Sequence, residues 1–293
     1  MKIKSILIYA GYVLAFFISL YIFVYLTLPD ERIAKFFVDR YTAIYGVNIT
    51  YRSAGITPSM NILLKEVELM ITDIPQKIKL DRVEAGISLS GYLFGTKPLI
   101  LKAGISGGSI RINAGAKKEK IYLSLNVSDL DIMKVDFIKD KTGLNIKGQL
   151  NLQLDIKYDQ KESKNNSGSI SIEIKGSEIK GGKVMGFEIP SVNTGDIKGE
   201  IDIKEGKFKV SNFKSKGKDV ELRLSGEGGF LSPPSRGNLN LSLRVRPSQG
   251  FIDREEKLKT VLFGIGSSLD KEGFYNFSIK GTLSNPAFNI EKK

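Results

Sequence analysis

The chain has 293 residues, 41% hydrophobic and 26% charged, with a net charge of +12. It contains no Cys, His or Trp, which excludes cysteine nucleophiles, disulfide scaffolds, zinc fingers and Ser-His-Asp triads. The commonest general base at neutral pH is missing as well, leaving only devices such as carboxylate pairs or Ser-Lys dyads.

Residues 5–28, SILIYAGYVLAFFISLYIFVYLTL, carry no charge. As a helix this run would extend about 36 Å, against a hydrocarbon core of about 30 Å. Lys2 and Lys4 precede it, which predicts an N-terminus kept in the cytoplasm and a domain on the far side of the membrane. A cleaved signal peptide would have a shorter apolar run and a small-x-small site. Here the run is long and ends in YLTLPD, so an uncleaved anchor over residues 1–28 is expected.

Residues 29–46 read as an amphipathic linker helix. Ile33, Phe36, Phe37, Tyr41, Ile44 and Tyr45 follow helical spacing, Asp30 and Glu31 fall in the first turn, and Gly46 ends the run. Its apolar face could pack on the domain or lie on a membrane, and packing is the expectation.

From Val47 the period changes to two. Ile146, Leu150, Leu152, Leu154, Ile156 and Tyr158 share one parity, while Lys147, Gln149, Asn151, Gln153, Asp155 and Lys157 fill the other. Such alternation puts apolar side chains on one sheet face and marks antiparallel strands. Similar runs include Leu123, Leu125 and Val127; Ile170, Ile172 and Ile174; Ile201 and Ile203; Phe208 and Val210; Leu222 and Leu224; Leu239, Leu241, Leu243 and Val245; and Phe277 and Ile279. Glycines at 107, 108, 181, 182, 206, 217, 228 and 229 are expected to mark hairpin turns and bulges. The predicted fold over residues 47–293 is therefore mainly β, an antiparallel meander. Residues 161–168, KESKNNSG, read as a flexible loop tip, and residues 252–269 as one late helix covering the sheet, with Asp253 and Glu256 resembling a capping box.

Candidate chemistry is sparse. Asp129, Asp131 and Asp136 could suggest a divalent cation, but Leu130, Ile132, Val135 and Phe137 favour a buried turn with the carboxylates in water. Glu255 and Glu256 read as first-turn helix residues rather than as a catalytic pair. No glycine stretch has a phosphate-loop pattern. Lysines scatter along the polar parity, without the clustering and aromatic interleaving that nucleic acid needs. The expectation is thus a chain that is not an enzyme and has no cofactor, metal or nucleic-acid partner. The remaining candidate is the apolar face itself: Leu150, Leu152, Leu154, Ile156, Leu239, Leu241 and Leu243. Alternation alone cannot distinguish a self-covered core from an open groove for acyl chains or another protein's strand.

Several segments together resemble the type II secretion system protein N family, which is related to the larger AsmA-like periplasmic proteins. They are the anchor and short helix followed by GVNI at 46–49; ILLKEVELM at 62–70; SDLDIMKVDF at 128–137 leading into Gly148, Gln149 and Leu150; GEGGFLSPPSRGNLNLSL at 226–243; and FSIKGTLSNPAF at 277–288. The resemblance implies a single-pass protein of the bacterial inner membrane with a periplasmic domain. Its fold would be a long curled antiparallel sheet, an AsmA-like groove or sandwich. Its first implied role is a component of a type II secretion system, acting through contacts with other proteins of that apparatus. The AsmA-like relatives imply an alternative, the binding or transfer of phospholipid in outer-membrane maintenance. The resemblance supplies no catalytic residues.

Overall fold

The computed structural model describes residues 3–45, 47–71, 74–87, 99–136, 139–140, 143–184, 187–231 and 233–292. Among them, two N-terminal helices, α1 (Ile3–Thr27) and α2 (Asp30–Tyr45), precede one antiparallel sheet. Its strands run in sequence order: β1 (Val47–Ile56), β2 (Ile62–Ile71), β3 (Ile74–Ile87), β4 (Leu99–Ile105), β5 (Gly108–Lys117), β6 (Lys120–Asp131) and β7 (Leu144–Asp159). They continue as β8 (Ser167–Val184), β9 (Phe187–Lys204), β10 (Lys207–Lys216), β11 (Val220–Gly229), β12 (Asn238–Pro247), β13 (Tyr275–Thr282) and β14 (Asn285–Ile290). The predicted meander is present, and the sheet does not close, since β1 and β14 stand at opposite edges. It is one layer rather than a two-sheet sandwich. The predicted face residues are accordingly half-buried, whereas a facing second sheet would bury them.

Bulges bend the ladder. Register shifts occur in β6 between Val127 and Leu130 and in β10 between Val210 and Phe213. Asp129 and Asn212 sit there with positive φ, and such insertions increase local twist. Two-residue hairpins at Ser106-Gly107 and Glu205-Gly206 have positive φ at both positions, the geometry that suits strand twist. Gly107 and Gly206 thus mark turns, as expected. Gly181 and Gly182 lie inside β8 at the register shift opposite Leu144 and Ile146 and mark a bulge, while Gly228 lies inside β11 and marks neither.

Three segments differ from expectation. In α2, Ala34 and Val38 are buried against the first strands, while Phe36 and Phe37 are exposed. The small side chains allow close approach to β1; the large ones point elsewhere. The side chains of Tyr41, Ile44 and Tyr45, and Gly46 itself, lie outside the described residues. The segment 161–168 is a tied knot rather than a loose tip. Asn166 is fully buried, its Oδ1 accepting from the Asp159 N–H at 2.7 Å and its Nδ2 donating to the Phe230 carbonyl at 3.0 Å. The late helix is two pieces, α3 (Gln249–Arg254) and α4 (Glu256–Gly264), broken at Glu255. Ser248 caps α3, accepting from the Phe251 N–H at 3.3 Å, so the Asp253–Glu256 capping box is not formed. Phe251 is buried against Val192 and Val220 and covers one end of the face at Leu222 and Val245.

α1 is continuous from Ile3 to Thr27, and its apolar side chains stand in the open: Tyr12 is 71% exposed and Leu14 63%. No single helix among the described residues is long and apolar enough to cross a membrane. The bent pair 11–27 and 30–40, angled by 71°, passes that test together by length and composition.

Candidate functional site

Register converts the alternation into rows. One apolar row crosses every strand: Ile56, Ile62, Ala85, Leu101, Ile112, Leu125, Leu154, Ile170, Ile201, Val210, Gly226, Leu241, Ile279 and Phe288. Apart from the buried Ile56 and Val210 and the exposed Phe288, its members are half-buried. At about 4.8 Å per strand the row extends roughly 60 Å along the ladder.

The seven predicted face residues fall on this row and its neighbours. Leu154 and Leu241 are members of it. Leu152 pairs with Ile172, which pairs with Gly199; beyond the β10 bulge, Phe213 leads through Leu224 to Leu243. Ile156 reaches Leu239 through Gly168, Ile203, Phe208 and Gly228. Leu150 stands on a fourth row, through Ile174, Ile197, Ser215 and Leu222 to Val245. The structure therefore joins β7 to β12, about 24 Å apart, on one continuous face. Sequence parity identified strands singly and missed this continuity, and it missed the role of β10. A Cβ on Gly199 would come 2.2 Å from the Phe213 ring, and one on Gly228 would come 2.5 Å from that of Phe208. Those two glycines are seats for aromatic rings that fill the middle of the face.

The other face is polar. Its ion pairs, such as Lys198–Glu173 at 2.9 Å and Lys180–Glu178 at 2.7 Å, have solvent-exposed lysines and contribute little each. A hollow of about 560 Å³ beside Tyr122, Asp155 and Lys157 is bordered by only one of the seven predicted residues, Ile156.

A denser charged cluster sits on the polar face of β11–β13. Phe274 is fully buried, and the guanidinium carbons of Arg223, Arg244 and Arg246 each lie 4.5 Å from its ring centre. The carboxylates of Glu221, Asp270 and Glu272 balance the three cations: Arg223–Glu221 and Arg244–Asp270 are both 2.7 Å, Arg244–Glu272 is 3.2 Å, and Arg246 also bonds Glu221. Charge compensation within the cluster makes it a clamp holding the segment 266–274 to the sheet rather than a reactive site.

Burial pushes the Asp270 carboxyl up. Bonds from the Phe274 N–H, Asn276, Arg244 and the Glu272 N–H outweigh that and hold it far below the usual range. A depressed folded-state pKa stabilises above the unfolded value of about 3.9 and loses that contribution as pH falls towards the folded one. Asp270→Asn should thus be less stable than the parent at pH 7, and the gap in urea midpoint should narrow on acidification below about pH 4. A gap constant with pH would show that Asp270 does not clamp through its charge.

Among the described residues no three carboxylates are grouped to hold a metal ion. Asp131 instead accepts from the Met133 N–H at 3.2 Å, capping a 3-10 turn, with Leu130 and Ile132 buried; Phe137 lies outside the described residues. Glu255 pairs with Arg254 at 3.5 Å, and Glu256 opens α4.

No protein-family model, curated protein or solved structure matches the chain.

Proposed function

We propose that this is a membrane-anchored, non-catalytic protein of the bacterial envelope that holds phospholipid acyl chains along the apolar face of its sheet. The observation that carries this reading is the row from Ile56 to Phe288, apolar or glycine at every strand and largely half-buried. Half-burial leaves apolar area that a chain could still cover, at about 25 cal/mol for each Å² removed from water. One leaflet of a bilayer has a hydrocarbon depth of about 15 Å, so a row of roughly 60 Å accommodates several chains end to end, in an AsmA-like groove. In this reading α1 is the anchor: it runs 25 residues, its described side chains from residue 11 to 24 are exposed, and Lys2 and Lys4 before it favour an N-terminus in the cytoplasm and a sheet in the periplasm.

A second reading, a type II secretion component working through protein contacts, draws on the β14 edge. Every residue of β14 is exposed, including Phe288 at 67%, and an edge strand offers free backbone groups to an added strand.

Photo-crosslinking side chains at Leu154 and Leu241, with Asp155 and Asn240 on the opposite face as controls, separate these readings in intact cells. Phospholipid adducts at the first pair and not at the second are expected. Capture of secretion-apparatus proteins without lipid at the first pair would overturn the lipid reading in favour of the second, and equal capture on both faces would overturn both.

A further inference from the structure

α2 has two working faces. At 100° per residue, Ala34 and Val38 share the side that packs on β1 and β2. Directly opposite them stands the stripe Arg32, Phe36 and Arg40, at i, i+4 and i+8, all exposed. Phe36 is 60% exposed and Phe37 beside it 40%, their rings edge-to-face at 5.8 Å. Two exposed phenylalanines flanked by arginines match the pattern of a helix lying in a bilayer interface, with rings among the upper acyl carbons and guanidinium groups on lipid phosphates.

The direction of α2 supports this independently. It leaves α1 at 71°, so an α1 along the membrane normal puts α2 about 20° from the membrane plane. The junction is pinned to the sheet at one residue: Tyr25 Oη donates to the Ile56 carbonyl at 3.2 Å, and the Ile56 N–H donates to Asp30 Oδ2 at 3.3 Å.

We propose that α2 lies in the phospholipid headgroup layer on its Arg32–Phe36–Arg40 side and carries the sheet on its Ala34–Val38 side, which places Ile56, the first member of the apolar row, at the membrane surface. This rests on α1 being the anchor but not on the sheet binding lipid.

The absence of native Cys permits single-site spin labels in the full chain. Phe17→Cys, Phe36→Cys, Phe37→Cys and Lys209→Cys would each be labelled and reconstituted in phosphatidylcholine vesicles with one quarter phosphatidylglycerol. Labels at 36 and 37 should collide with oxygen more often than with a water-soluble nickel complex, as at 17, with the reverse at 209. Position 17 reading as lipid while 36 and 37 read as water would overturn the inference and leave the anchor. Position 17 reading as water would overturn the anchor and the inference together. Arg32→Gln combined with Arg40→Gln should make depth at position 37 independent of phosphatidylglycerol; an unchanged response would remove the arginines from the contact.

Discussion

Replacing Phe274 with Ala is expected to lower the unfolding free energy by about 3–5 kcal/mol, the cost of truncating a buried phenylalanine, and to release the segment 266–274 from the polar face. The ring is fully buried in a place where a sheet face would ordinarily be wet, and it does two things there. It removes apolar area from water, and its negative π-face attracts the guanidinium groups stacked on it. The Arg244–Asp270 pair and the Asn276 bond to the Ser268 carbonyl at 2.9 Å are shielded beneath the same segment. Losing the ring would wet those bonds, so the loss should exceed that of an isolated surface phenylalanine. Phe274→Leu keeps the apolar volume but not the π-face and should lose less. Urea unfolding of the full chain measures both, and a loss under about 1 kcal/mol for the Ala variant would show that the clamp does not depend on the ring.

Leu154→Lys and Leu241→Lys should each reduce phospholipid capture severalfold while leaving the domain folded. Covering the exposed half of one leucine contributes about 0.8–1.5 kcal/mol, roughly a factor of 4 to 12 in affinity. Both side chains are half-buried, so a lysine there can lie along the face and extend its ammonium to water. Asp155→Lys, one position along and on the polar face, is the matched control and should change capture little. If the row were closed core, the leucine variants would unfold instead, because an unpaired charge would be buried. Midpoints within about 1 kcal/mol of the parent, together with lost capture, support an open face; loss of folding overturns it.

The strands were legible because period-two alternation survives any register. Parity alone put Leu152 and Leu154 on the side later found to carry Leu241 and Leu243. What joins them was not legible. The bulges at Asp129 and Asn212 carry no signature in a polar sequence, and the seating of Phe213 on Gly199 and Phe208 on Gly228 is a cross-strand contact. Errors arose where polarity was equated with exposure. Asn166 reads as loop but is buried through its two bonds, and Phe274, outside every alternating run, closes a charged cluster on the polar face. In α2 the eye follows the largest side chains, whereas close approach to a strand selected Ala34 and Val38.

The strict succession of strands has a consequence for how the chain reaches this state. Each strand's ladder partners are the ones just before and just after it in the sequence, so contacts stay local despite the width of the sheet, the condition for fast folding among β proteins. If α1 holds the N-terminus on the near side of a membrane, the chain after it could pair each strand as it emerges, on a template already held at α1 and α2. Among the described strands no slot is left for a later segment to fill, and the growing sheet presents two edges to a wrong partner, β1 and the newest strand.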